Sequence, residues 1–492
     1  MKQDAQEVAE GAELECDVCV VGAGPVGLSL AQALQGRGLS VVVLESGANL
    51  RNDDAQLLNA GNTFGDAYNE LRESRARHLG GTASIWNSPT GGVICAKYMP
   101  LDDIDFEARA WIPLSGWPIT GKELRPFYEA AQQVCGLGPF DYSASAWSRA
   151  ERPALAFNNT GLRSAIFQFG GADRFCKVLP QTLQRSENAT IVLNATVVSL
   201  DRDRGNRRIT QARWRSMDER SGFVRATQFV LCAGAIENAR LLLIDREHQD
   251  ISSSAGHWIG RGFMEHPIDN SLVLQPAATE LRIEQDFYSP HAARGVTAIM
   301  GRIAVTPELL RKHQIPNASV RLSRRSAPTL SQRIMHRVAR TIRSGAPVAG
   351  SIFLQLDIEQ SPHPDNRVAL SNERDVFGMP KSELHWRWRT EDELARLKLR
   401  DIISRELERA GAGRTRIDST KALDPNAHHH AGTTRMHSSP TQGVVNDQLL
   451  VFGEENLYVC GSSVFPTAGV ANPTLTSVAL ALRLATHIAS IV

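Results

Sequence analysis

Residues 17–47, DVCVVGAGPVGLSLAQALQGRGLSVVVLESG, read as a strand, a glycine turn, a helix, a second strand and an acidic residue, in that order. That unit commits the chain to a parallel α/β sheet that meets a nucleotide at its strand ends. Val18–Val21 form a short apolar run of the kind buried in a parallel sheet. Gly22, Gly24 and Gly27 give the G-x-G-x-x-G spacing: a tight turn, a place where a pyrophosphate approaches the backbone, and a close contact of helix on strand. Pro25 suits the first helical position, and the helix N-terminus faces the phosphates. Gly36 and Gly38 end the helix, Val41–Leu44 make the second strand, and Glu45 stands where a carboxylate accepts from a ribose 2′-hydroxyl and repels a 2′-phosphate. A glycine turn that served packing alone would explain Gly27, but neither Gly24 nor Glu45. The motif leaves FAD and NAD open, because both carry an AMP half.

A chain of 492 residues exceeds one ordinary core, so two domains are expected, interleaved or sequential. The 54 Lys and Arg nearly cancel the 53 Asp and Glu, which removes the electrostatic case for nucleic acid as the main partner. The first fifteen residues, MKQDAQEVAEGAELE, contain no apolar core of a secretion signal, and no run reaches the roughly 18 apolar residues of a membrane span. No membrane span and a cytoplasmic location are therefore expected. Seven scattered cysteines suit reduced thiols, and the C-x-x-C of Cys16 and Cys19 flanks a buried strand without a second pair at zinc-like spacing. Core thiols and no metal site follow.

Further along, Gly80-Gly81 in RARHLGGTASIWN marks a close backbone approach to something flat or charged. Trp111, Trp117 and Tyr128 read as core. Sheet-like patterns return after Ala189, and the apolar run Phe229–Cys232 passes through Ala233-Gly234-Ala235 into a helix near Glu237. Residues 267–415 lack a glycine fingerprint, alternate in SIFLQLDIEQ and RVALS, and end in the helix EDELARLKLRDIISRELERAG. Within them, residues 309–356 hold no acid, while Arg311, Lys312, Arg321, Arg324, Arg325, Arg333, Arg337, Arg340 and Arg343 crowd together. A solvated helix explains that pattern. Docking of an acidic partner or membrane surface by Arg311–Arg343 is the functional alternative, since Ile334, Met335, Val338 and Ile342 share one helical face. After His428 the signal becomes dense again, with the strand Asn456–Cys460, the turn Gly461–Ser463 and an apolar helix near Asn472-Pro473. The two chain ends therefore close one nucleotide domain, 1–266 with 420–492, with pieces of the second domain in 100–185, and the rest of that domain, 267–419, is inserted between them.

The blocks VVGAGPVG with Glu45, RHLGGTASIW, CAGAIENARLLL with GRGFMEHP, EQSPHPDNRVALS, and HHAGTTRM with NLYVCGSSVFPT and NPTLT resemble the glucose-methanol-choline (GMC) oxidoreductase family over nearly the whole chain. The resemblance implies a Rossmann-like FAD-binding domain with an inserted α+β substrate domain on an antiparallel sheet. It also implies FAD contacts at Gly22, Gly24, Gly27, Glu45, Gly80, Gly81, Ser84, Val197, Ala233, Gly461, Ser462, Asn472 and Thr474. The histidine before the flavin matches His429, with Asn472 from the last block beside it. In an extended segment His428 and His430 point away from His429. Where members attach flavin covalently through histidine this chain has Ile85, so the flavin is expected to be non-covalent; Gly461 replaces a frequent aspartate. That combination resembles the sugar and glycoside dehydrogenase branch, including glycoside 3-oxidising enzymes.

The expected chemistry is oxidation of an alcohol, with His429 taking the hydroxyl proton while hydride passes to flavin N5, and Asn472 holding the same oxygen. A sugar or glycoside is the expected substrate; a non-sugar alcohol is the alternative. A flavin reductase or monooxygenase using NAD(P)H would need a second glycine fingerprint, and Gly411-Ala-Gly413 lacks a preceding buried strand. A non-catalytic flavoprotein would not need His429 and Asn472. Oxygen, a quinone or a redox protein all remain open as electron acceptor.

Overall fold

The computed structural model describes residues 1–90, 93–203, 205, 207–247, 254–277, 285–293, 297–323 and 351–492. The strand Ala12–Val21 lies between two parallel neighbours, Val41–Leu44 and Ser221–Leu231. Both faces of its second half are covered, which is why Val18, Cys19 and Val20 are fully buried. Beyond Val41–Leu44 come Ala189–Leu193 and Lys2–Asp4, also parallel; beyond Ser221–Leu231 come Ile209–Arg215 and Thr196–Arg202, antiparallel. The short strand Leu457–Val459 pairs with Phe229–Leu231 and completes this eight-stranded sheet. The helix Pro25–Gln35 packs on Thr474–Ile488, and that helix on Gly121–Val134. Residues from both chain ends thus share one core.

A ten-stranded antiparallel sheet forms the second layer. Its path runs Gly413–Ile417, Ile268–Pro276, Ile352–Ile358, Ala318–Ser323, Thr297–Val305, Leu162–Gly171, Val93–Tyr98 and Ser88–Thr90, with two short strands at its sides. In Ile352–Ile358 the alternation is strict: Ile352, Leu354, Leu356 and Ile358 join a core with Leu399, Ile402, Ile403 and Leu407 of the helix Thr390–Arg409. Gln355 and Asp357 consequently face the other way.

Several boundaries differ from the sequence reading. Strand Val93–Tyr98 belongs to the ten-stranded sheet although it precedes residue 100, and Leu423–Asp424 pairs with Ile268–Pro276. The hairpin Arg367–Arg374 and Pro380–Trp386, expected in the inserted domain, instead pairs with Gly61–Gly65 in a three-stranded sheet. Val368, Leu384 and Trp386 pack there against Ile236 and Ala239, on a helix that starts at Ala235 rather than near Glu237. Trp117 and Tyr128 are core and Trp111 is half-buried. Cys19 is fully buried and burial pushes the Cys16 thiol up to about 12, as core thiols require.

The loop around residue 109 is tied to the ten-stranded sheet by one buried ion pair. Arg109 Nη1 and Nη2 donate to Glu359 Oε2 and Oε1 at 2.8 and 2.5 Å, and the Asn317 N–H donates to Oε2 at 2.9 Å. Both charged side chains are at most 1 % exposed. Arg109→Leu leaves the carboxylate buried without its counter-charge, and should lower stability by about 3–5 kcal/mol. Urea unfolding measures this; a loss below about 1 kcal/mol would show that the pair does not stitch the loop down.

Candidate active site

The three glycines of the first turn have different physical reasons. Gly22 sits at φ +107°, and a Cβ on it would lie 2.7 Å from the Cys232 carbonyl oxygen; a Cβ on Gly27 would lie 1.9 Å from the Gly22 oxygen. A Cβ on Gly24 would meet nothing within 4 Å. Packing therefore requires the first and third glycines, while the second opens onto a cavity of ≈ 550 Å³ lined by both large sheets.

Gly22, Gly24, Glu45, Gly81, Val197, Ala233, Gly461, Ser462, Asn472 and Thr474 all line that cavity, as does His429. Glu45 is buried, and its carboxylate accepts from the backbone N–H of Ala23 and Gly47, both at 2.9 Å. It braces the glycine turn from beneath and keeps lone pairs toward the cavity. The first turn of Thr474–Ile488 opens onto the same space, a natural anion-binding end. Gly27, Gly80 and Ser84, expected at the cofactor, do not line the cavity. Gly27 serves the helix–strand contact, the Gly80 N–H donates to the Ala23 oxygen at 2.9 Å, and Ser84 Oγ bonds His78 Nε2 at 2.8 Å and the Gly81 oxygen at 3.0 Å. They shape the wall. Arg75 and Arg77 of the same block converge on buried Glu237, at 3.6 and 3.0 Å, and so hold this segment to the helix Ala235–Glu247.

At the far end of the cavity His429 Nε2 lies 2.7 Å from Asn472 Nδ2, and His429 Nδ1 lies 2.9 Å from His266 Nδ1. The amide donates to Nε2, so Nδ1 carries the single imidazole proton toward His266. Burial, with His266, Lys97 and Arg321 nearby, holds the His429 imidazole well below its usual range, and burial lowers His266 as well. The His429 N–H donates to Glu265 Oε2 at 3.0 Å, the His266 N–H donates to the same oxygen at 3.1 Å, and the Tyr68 hydroxyl donates to Oε1.

His428 and His430 lie apart from His429, but not through a plain extended strand. His428 takes the left-handed conformation, φ +57°, which is unusual for a residue with a side chain. The two rings gather around Tyr68, with His430 Nε2 3.0 Å from the Tyr68 hydroxyl. The sequence offered no partner ligand for a histidine metal site; the fold brings Glu265, whose donor atom lies within 4.8 Å of one from each of His428 and His430. Tyr68 and two backbone N–H groups already satisfy that carboxylate, so hydrogen bonding accounts for the cluster.

The remaining wall comes from the ten-stranded sheet and carries Lys97, Ile268, Arg321, Gln355 and Asp357. Arg321, read in sequence as part of a basic docking segment, instead pairs with Asp357 inside the cleft, at 2.7 and 2.6 Å. Arg311 pairs with Glu107 at 2.6 Å, while Arg324, Arg325, Arg333, Arg337, Arg340 and Arg343 lie outside the described residues. Sequence reasoning did not single out Lys97, Tyr68, Glu265 or His266. The last two sit in the quoted block GRGFMEHP; Tyr68 sits in a polar stretch with no pattern.

Residues 362–481 match the family described as GMC oxidoreductase, and residues 17–259 that described as FAD dependent oxidoreductase. The fructose dehydrogenase large subunit of Gluconobacter japonicus is 24 % identical, covering 96 % of this chain and 97 % of that one. The 6'''-hydroxyparomomycin C oxidase of Streptomyces lividus is 26 % identical, covering 96 % and 91 %. The C-glycoside 3-oxidase of Arthrobacter globiformis is 35 % identical over 150 residues, 30 % of this chain and 27 % of that one. The fold is shared with pyridoxine 4-oxidase from Mesorbium loti, at a TM-score of 0.54 and 16 % identity over 96 % of this chain and 99 % of that one.

Two outcomes follow for the cofactor. Ile85 lines the cavity and offers no nitrogen for attachment, so acid precipitation should leave a colourless pellet and a yellow supernatant. Glu45→Ala removes the turn's brace together with the carboxylate expected to accept from a ribose hydroxyl, and should weaken FAD binding by about 1–3 kcal/mol. Flavin retained equally by wild type and variant on dilution would contradict that role.

Proposed function

Because the chain belongs to the GMC oxidoreductase family and binds FAD, we propose that it oxidises an alcohol group of a sugar or glycoside to a ketone or aldehyde. The observation that carries this reading is the pair of His429 Nε2 and Asn472 Nδ2, 2.7 Å apart on the cavity wall. A substrate hydroxyl that displaces this hydrogen bond finds in Nε2 an acceptor for its proton and in the amide a donor for its oxygen. FAD, when bound, supplies the acceptor for the carbinol hydride. Proton removal matters because a neutral alcohol that lost hydride would leave a protonated carbonyl.

His429 takes that proton at Nε2. Its Nδ1–H then donates to His266 Nδ1, which burial keeps neutral and able to accept. Glu265 fixes both histidine backbones, so the imidazole does not have to reorient as its charge changes. Arg321, Gln355 and Asp357 supply donors and acceptors opposite, which suits a polyhydroxyl substrate better than an aliphatic alcohol. The names of the relatives, sugar and glycoside oxidising enzymes, point the same way. Gly411 and Gly413 lie between a helix and an edge strand with no strand before them, unlike a second nucleotide turn, which weighs against an NAD(P)H-dependent reductase. No described helix is long and apolar enough to cross a membrane. The free thiols of all seven cysteines support placing the enzyme in a reducing, cytoplasmic compartment.

Anaerobic flavin bleaching across sugars, glycosides, polyols and aliphatic alcohols tests the substrate class; bleaching by the aliphatic alcohols alone would overturn it. His429→Ala should slow flavin reduction by roughly a hundred- to ten-thousandfold, and His428→Ala far less. Since the His429 pKa is lowered, the neutral base persists through neutral pH, and wild-type reduction should fall only when the pH drops below the ordinary imidazole range. Stopped-flow reduction between acid and neutral pH reads this directly; an acid limb at or above the ordinary imidazole value would remove His429 as the base.

A further inference from the structure

On the substrate side of the cleft two cations, Lys97 and Arg321, face one buried carboxylate, Asp357, so among the described residues one positive charge is left over there. Strand Val93–Tyr98 alternates so that Tyr98 is fully buried in the core while Lys97 turns to the cavity. Among the described residues no hydrogen-bond acceptor lies within reach of Lys97 Nζ. Lys97 Nζ lies over the ring of Phe167, 5.4 Å from its centroid, and that ring also has the Arg302 guanidinium carbon at 5.5 Å on it.

Asp357 attracts Lys97 but makes its hydrogen bonds to the arginine. Its Oδ2 accepts from Arg321 Nε at 2.7 Å and Oδ1 from Arg321 Nη2 at 2.6 Å, so one carboxylate is shared between two cations. His266 and His429 are both held neutral by burial. Of the other acids that line the cavity, Asp424 is exposed, where water screens it, Glu45 accepts from the Ala23 and Gly47 N–H groups of the nucleotide turn, and Glu237 pairs with Arg75 and Arg77. Burial lowers the Lys97 ammonium to about 8, so it stays largely protonated at neutral pH and meets its ligand as a cation. Arg302, buried beneath with Nε and Nη1 unpartnered, adds to the same positive field.

Resting on the reading of this cleft as a sugar-oxidising site, we propose that the substrate is an acidic sugar, a uronic acid or its glycoside, whose carboxylate binds Lys97. A carboxylate supplies the missing counter-charge and a charge-assisted hydrogen bond. A neutral hydroxyl supplies only the bond. An amino sugar brings a second cation into a cleft already positive, which is repulsive at short range. Among carbohydrate oxidations the enzyme therefore acts on the product of a prior oxidation at a terminal carbon, because that is the class of reaction that converts a sugar's CH2OH into the carboxylate.

The holoenzyme is tested with methyl glycosides matched in stereochemistry, in gluco and galacto series, that differ only in carrying a carboxylate, a hydroxymethyl group or an amine. Anaerobic flavin reduction should be at least about tenfold more efficient with the uronate than with the neutral glycoside, as expected for a hydrogen bond to a charged group, and poorest with the amine. In Lys97→Gln the uronate-to-neutral ratio should collapse by about the same factor, while Lys97→Arg should keep it. A wild-type enzyme that prefers the neutral or amino sugar overturns the inference and leaves the sugar-oxidising function standing. So does a Lys97→Gln variant in which all three sugars slow alike, which would assign Lys97 to the flavin or to the fold. If no sugar of any charge bleaches the flavin, the functional reading itself fails.

Discussion

The Glu265 carboxylate is the contact on which the site depends. It is completely buried and takes three donors: the Tyr68 hydroxyl and the backbone N–H groups of His266 and His429. Through the last two it sets the relative position of the two imidazoles whose Nδ1 atoms meet at 2.9 Å. Burial pushes Glu265 up to about 7, moderated by its hydrogen bonds, and pushes His429 down. Both shifts favour the neutral forms. An imidazole that is uncharged at rest, hydrogen-bonded at both nitrogens and anchored by its own backbone is a pre-organised base, because little has to reorient when it takes a proton.

The same burial logic explains how the ten-stranded sheet presents polar groups to the cleft. Strand Ile352–Ile358 gives one face to the core it shares with the helix Thr390–Arg409 and the other to the cavity. Leu354 and Leu356 therefore go to the core while Gln355 and Asp357 go to the cleft. Arg321 on the neighbouring strand reaches Asp357 along that face, and Lys97 contributes from further along the sheet. The nucleotide side is built differently, from backbone groups at a glycine turn and a helix N-terminus, which suits phosphates that need donors rather than shape.

Chain order keeps the two sides together. The strand Leu457–Val459 pairs with Phe229–Leu231, and the segment carrying His429 bonds across to it and to the loop of Glu265, with the Gly432 N–H donating to the Ser462 oxygen at 3.1 Å and Met264 and Ala431 exchanging backbone bonds at 3.0 and 3.2 Å. Without that closure, His429 and Asn472 would be carried on a tail with no sheet behind it.

The residues alone determined the first nucleotide unit, because its causes are local: Gly22 turns the chain at a positive φ, Gly27 is forced by the Gly22 oxygen, and the period-two alternation of Ile352–Ile358 is a property of any strand covered on one face. The resemblance of the sequence blocks to a known family pointed to His429 and Asn472, and the fold brings these two together. What the tertiary structure alone decided is which distant groups meet them. Glu265 is 164 positions from the His429 N–H it binds, and Tyr68 is 197 positions from Glu265, in a stretch without periodicity. The domain boundaries were blurred for the same reason: the hairpin 367–386 has an ordinary strand pattern, and only packing against Ile236 and Ala239 separates it from the ten-stranded sheet. Arg321 looked like one cation in a basic run and became a cleft residue, since side-chain charge is visible in sequence whereas its counter-ion, Asp357, is supplied by the neighbouring strand. Local periodicity and turn chemistry are written along the chain; charge pairing and hydrogen bonding across hundreds of residues exist only once the chain has closed.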